Sequence, residues 1–223
     1  MEARLAGQTD LAGFREEARL LLAHQIPPDE VQWLAQAQNA EQFTDTAPAD
    51  NRLSSASKNA SSIVPASFQR LCEVVVLHHD PERFSLLYRL LWRLVHEPGL
   101  RNSAVDADMV HAQHMGQAVR RDLHKLKAFV RFRTLREGFD APTKVAWAEP
   151  THHIVEAAAP WFAQRAPNAR WAIFTPERCV ECDGQQLHFG KGLARNAMPA
   201  AAAPDEAWAQ AYRDVFGARA APT

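Results

Sequence analysis

The stretch Gln117–Thr134, QAVRRDLHKLKAFVRFRT, changes its hydrophobic period partway along, and that change decides the fold class. Ala112, Met115, Val119, Leu123 and Leu126 recur at spacings of three and four, which predicts a helix over Asp106 to Leu126. From Lys127 to Thr134 the pattern alternates. Ala128, Val130 and Phe132 form an inward set, and Lys127, Phe129, Arg131 and Arg133 an outward one, which predicts a strand. The same stretch is the densest basic run in the chain: Gln117 to Phe139 holds seven Lys and Arg against Asp122 and Glu137.

Outward toward the N-terminus the periods are helical. Phe68, Leu71, Cys72, Val75 and Val76 form one stripe, and Phe84, Leu87, Tyr88, Leu91, Trp92 and Val95 another. His78-His79-Asp80-Pro81 lies between them and Pro98-Gly99 after them, so they read as an α-hairpin. Farther out, Leu11 to Gln25 is a helix behind the N-cap pair Thr9-Asp10, and Val31 to Leu34 is a short strand with Trp33 as a core or interface anchor. Asp45 to Ser62 lacks period and apolar mass and reads as a long surface loop.

Toward the C-terminus strands dominate: Lys144 to Glu149, Trp171 to Thr175, and a hairpin of Cys179 to Cys182 with Gln186 to Phe189 turned by Asp183-Gly184. Helices are expected over His153 to Arg165 and Pro204 to Phe216. The fold class is therefore α+β, an α-rich N-terminal half followed by a small, mainly antiparallel sheet with helices on one face. The expected organisation is an N-terminal unit at 1–44, a loop or linker at 45–63, a main domain at 64–217 and a tail at 218–223 that could lead into a fused domain.

A net charge of −1 excludes a general polycation, so any nucleic-acid contact must be a local patch. Three cysteines are too few for a disulfide scaffold and suit a reducing cytosol. With no apolar run of membrane length and no export signal, a cytoplasmic protein without membrane contact is expected.

The candidate nucleic-acid contacts are Arg120, Arg121, His124, Lys125, Lys127, Arg131 and Arg133 for phosphates, with Phe129 as a base-stacking platform among them. The bland alternative is a solvated face with side chains lying over apolar neighbours. Lys125 to Phe132 also echoes the RNA-recognition-motif signature, but Leu126 and Lys127 stand where that signature needs a Gly and an aromatic. Glu149, His152, His153 and His124 are the acid/base candidates, because Glu149 and the His pair flank a strand-to-helix junction. Capping of that helix is the structural alternative. Cys179 and Cys182 make half a zinc knuckle without a second half, and as strand residues three apart they point to opposite faces. No metal or other cofactor is expected, and no glycine-rich dinucleotide-binding, phosphate-loop, hydrolase or zincin motif is present.

The blocks VPASFQRL, HHDPERFSLLYRLLWRL, VRRDLHKLKAFVRFR, WAEPTHHIVEAAAPWFAQR, WAIFTPERCVECDGQQLHFGKG and DEAWAQAYRDVFGARA carry a resemblance over Val64 to Phe216. Together they resemble an uncharacterised bacterial domain family associated with DNA metabolism and DNA repair. Its members are fused ahead of a UdgX-type uracil-DNA glycosylase domain or paired with a radical-SAM protein. Leu5 to Leu34 is similar to the opening of the fused form. The resemblance implies a process, DNA repair, and the partners DNA, a uracil-DNA glycosylase-like domain or a radical-SAM protein. It does not carry over uracil excision, since the glycosylase motifs have no counterpart here. It also implies that cysteines are unusual at Cys179 and Cys182.

The expected function is a DNA-repair-associated accessory module that binds DNA of unspecified strandedness through the basic patch. Two alternatives stand beside it: an enzyme acting on a nucleic-acid base or nucleotide through a Glu/His pair, and a protein-docking scaffold without DNA contact.

Overall fold

The computed structural model describes residues 1–36, 64–97, 99, 106–136, 142–200 and 202–217. The expected loop at 45–63 and tail at 218–223 lie outside the described residues. Those described fall into two compact units, one up to Arg121 and one from Asp122 onward.

In the first unit, strands β1 (Glu2–Leu5) and β2 (Gln32–Ala35) pair in parallel, with Ala3 opposite Trp33. Helix α1 (Leu11–Ala23) connects them and starts where expected: the Asp10 carboxylate accepts from the Gly13 amide at 2.8 Å. Strand β1 was not foreseen, because EARL is four residues long and has no β-branched or aromatic side chain to mark it. The α-hairpin is present as α2 (Ala66–Val75) and α3 (Arg83–His96). Trp33 is the core anchor expected of it, its ring 5.0 Å from Phe14 and 6.2 Å from Phe84. Arg83, only 1% exposed, donates to the carbonyls of Val76, Asp80 and Gln8, so this buried cation ties the inter-helix turn to the start of α1. Helix α4 (Ala107–Phe129) begins behind Asp106, which accepts from the Met109 amide and pairs with Arg93 at 2.7 Å.

The second unit is built on a five-stranded sheet: β3 (Arg133–Leu135), β4 (Thr143–Trp147), β5 (Arg170–Phe174), β6 (Arg178–Cys182) and β7 (Leu187–Lys191), in that spatial order. All neighbours are antiparallel except β4 and β5, which are parallel. That one parallel pair requires a crossover, and α5 (Val155–Arg165) supplies it. The β6–β7 hairpin turns at Asp183-Gly184 as expected, with Gly184 at φ +104°.

Alternation along β5 sends Trp171 and Ile173 to one face, Ala172 and Phe174 to the other. Phe162 of α5 packs on Trp171 at 5.9 Å. Phe216 of α6 (Asp205–Phe216) packs on Phe174 at 6.0 Å, within a core that includes Leu135, Val145, Trp208 and Tyr212. Helices thus cover both faces of the sheet, where the sequence suggested one. The class is α+β and the sheet mainly antiparallel, as read from the sequence.

The helix-to-strand change is placed differently from expectation. Helix α4 continues to Phe129, and the Val130 amide still donates to the Leu126 carbonyl at 3.2 Å. Only Arg133–Leu135 is strand, and its buried residue is Leu135. Lys127 and Ala128 are good helix formers, so the local preference carries the helix nearly one turn into what also reads as alternation. Ala128 consequently faces out rather than in, while Phe132, beyond the helix, keeps one edge against Phe162 and Trp171.

Candidate nucleic-acid interface

The basic residues of the stretch meet different fates. Arg120 and Arg121 are exposed and belong to the first unit, and His124 is exposed in the second. Lys125 and Arg131 are exposed, while Lys127 is half-buried with its ammonium 5.5 Å from the Trp161 ring centre. Arg133 is committed to the fold. Its guanidinium donates to the Ala203 carbonyl at 3.0 Å and to Asp205 at 2.8 Å, and lies 5.2 Å from the Trp208 ring centre.

Phe129 ends α4 with 66% of its surface exposed, the largest exposure of any aromatic side chain among the described residues. It borders a cleft of about 290 Å³ whose walls include Lys125, Leu126, Trp147 and Glu149. Asp122 also lines the cleft. One oxygen of that carboxylate accepts from the amides of Thr151 at 2.8 Å and His152 at 2.9 Å, fixing the loop after β4 against α4. Trp147 donates its indole N–H to Glu149 at 2.7 Å, which sets the plane of the ring along the wall. Phe132, 37% exposed, stands edge-on to Phe162 at 6.0 Å. A cleft with one open aromatic ring, one half-buried indole and one lining cation, Lys125, can accept a planar base, with Arg131 exposed close by in sequence for an adjacent phosphate.

The acid/base candidates do not converge. Glu149 is engaged by Trp147 and by an ion pair with Arg195. His153 instead takes Glu177, with Nδ1 2.5 Å from the carboxylate. His152 is buried at 5% exposure, and His124 is out on α4. The pairing of Glu149 with His153 considered from the sequence is therefore replaced by His153–Glu177, because the β5–β6 turn brings Glu177 to the start of α5.

Cys179 and Cys182 do lie on opposite faces of β6: Cys179 belongs to the core under α6, and Cys182 stands opposite Trp171 on the α5 side. Burial pushes the Cys179 thiol up to about 11 and raises that of Cys182, so neither is a ready thiolate.

Asp122 and Trp147 are the site residues that sequence reasoning missed. Asp122 read only as an offset to the basic run, and its partners lie 29 and 30 residues on. No local signal marks such a contact.

Fold and cleft define a two-unit α+β protein whose second unit carries an aromatic-edged cleft lined by the cation Lys125 and the carboxylates of Asp122 and Glu149. The chain belongs to the family described as a domain of unknown function, DUF4130, which matches residues 81–218. No curated protein and no solved structure matches it. No helix among the described residues is long and apolar enough to cross a membrane.

Proposed function

We propose that this chain is a DNA-repair-associated accessory module that holds nucleic acid at the α4–β4 cleft. In that role it supports a partner enzyme of the uracil-DNA glycosylase-like or radical-SAM type. The observation that carries the reading is Phe129: a large aromatic ring left 66% exposed at a cleft mouth, with Lys125, Lys127 and Arg131 around it in sequence. Exposing such a ring forgoes burial worth roughly 1.5–3 kcal/mol, a cost that a stacking partner offsets. Unpaired bases present that partner, whereas a closed duplex does not, so single-stranded DNA is the expected preference. The partner enzymes enter through the resemblance in the sequence and not through any contact in the fold.

The test is fluorescence anisotropy of a labelled single-stranded oligonucleotide against wild type and the triple variant Lys125→Ala, Lys127→Ala, Arg131→Ala. Binding that weakens at least about tenfold supports the reading. Unchanged binding, or no binding by the wild type at low salt, refutes it. A surface that instead captures the partner enzyme without DNA points to the docking reading.

A further inference from the structure

The first unit contains a separate and larger cavity, about 490 Å³, whose walls come from α2, α3 and α4. Its floor is apolar, with Phe68, Leu71 and Leu94 buried and Met109 half-buried. Its rim is not. Arg70 on α2 and Arg120 on α4 both line it, and so do the amides of Gln113 and Gln117. Gln113, Gln117 and Arg120 are spaced by four and three residues, so one face of α4 presents all of them.

Other arginines of the first unit are spoken for. Arg93 pairs with Asp106, Asp108 and Glu97, Arg89 with Asp108, and Arg15 with Glu73. Arg70 and Arg120 have no carboxylate partner among the described residues. Arg120 also turns back along its helix: its Nη1 lies 3.4 Å from the position a Cβ on Gly116 would take. The absence of a side chain at Gly116 gives that guanidinium room over the cavity and lets Leu71 approach α4 to a similar distance.

We propose that this cavity binds a nucleotide, with the phosphate held by Arg70 and Arg120 and the base lying on the apolar floor. Two guanidiniums with no carboxylate partner among the described residues can recognise a phosphate, since each offers a planar fork of donors. The apolar floor accepts a flat ring. The amides decide between a nucleotide and an aliphatic anion. Each is exposed and carries both donor and acceptor, which pair with the edge of a base and find no counterpart on an acyl chain. The volume lies within the range of small-ligand pockets. The inference stands apart from the reading of the α4–β4 cleft, because the two cavities share no lining residue.

Isothermal titration calorimetry of the full chain tests it, using the four deoxynucleoside monophosphates, their nucleosides and inorganic phosphate. Saturable binding of at least one monophosphate is expected, with its nucleoside and inorganic phosphate each weaker by about tenfold or more. Arg70→Gln should weaken that nucleotide about tenfold, as loss of one charge-assisted contact does, while leaving the Tm unchanged because the side chain is exposed. The proposal is overturned by any of three results: no saturable binding at millimolar nucleotide, inorganic phosphate binding as tightly as the nucleotide, or unaltered affinity in Arg70→Gln.

Discussion

Arg133 donates to Asp205 at 2.8 Å across the second unit, joining β3 to the first turn of α6. Its neighbour two residues back, Arg131, is exposed. Two arginines of one basic run therefore serve different ends. Arg133→Ala should lower stability by about 1–2 kcal/mol, through loss of a partly buried ion pair and the bond to Ala203, with little change in DNA affinity of the folded protein. Arg131→Ala should do the reverse. Denaturant unfolding and oligonucleotide titration on both variants check this, and the account fails here if Arg133→Ala is the one that weakens DNA binding.

Phe129 contributes little to packing, so Phe129→Ala should leave the Tm within experimental scatter. Affinity for single-stranded DNA should fall by about 1–3 kcal/mol, the range for loss of one base-stacking platform. Phe129→Trp should restore it. If alanine and tryptophan bind alike, stacking is not what the exposed ring provides.

Glu181 is buried on the α6 face of β6 and accepts from the Tyr212 hydroxyl. Burial raises its carboxyl above the ordinary value of 4.5, with the Tyr212 bond opposing the rise. A raised folded value means that the folded state holds the proton more tightly than the unfolded one. That contribution to stability is complete below about pH 4.5 and is lost as pH climbs through the raised value. Glu181→Gln keeps an acceptor for Tyr212 and removes the titration. Its Tm gain over wild type should accordingly be larger at pH 8 than at pH 4.5. An equal difference at both would contradict the assignment.

Cys179 and Cys182 face opposite sides of the sheet, so one tetrahedral ion cannot take both without rebuilding β6. Prolonged dialysis against a strong chelator should leave the Tm and the far-ultraviolet spectrum unchanged. Reaction with a thiol reagent should be slow in the folded protein and complete on denaturation. A chelator-dependent drop in Tm would show that this geometry has been misread.

Much of the fold was legible because its signals are local. The stripes through Phe68–Val76 and Phe84–Val95 specify α2 and α3, Asp183-Gly184 specifies the hairpin, and Asp10 marks the start of α1. The join of α4 to β3 was misplaced because Lys127, Ala128 and Phe129 satisfy both a helical and an alternating pattern, and no Gly or Pro separates them. The candidate site was half legible. Lys125, Phe129 and Arg131 stand out as charge and aromatic surface without a core position to fill. Asp122 under the loop after β4, Glu177 beside His153 and Asp205 on Arg133 are pairings across the fold, which residue spacing does not encode.

The central claim, nucleic acid held at the Lys125–Arg131 surface, is tested most directly by a salt series of single-stranded oligonucleotide binding. The wild type should lose affinity along a straight log–log line. Removing Lys125, Lys127 and Arg131 together should make that line shallower by about 2, at roughly 0.7 per phosphate released. A wild type that does not bind at low salt, or a triple variant with the same slope, would contradict the account.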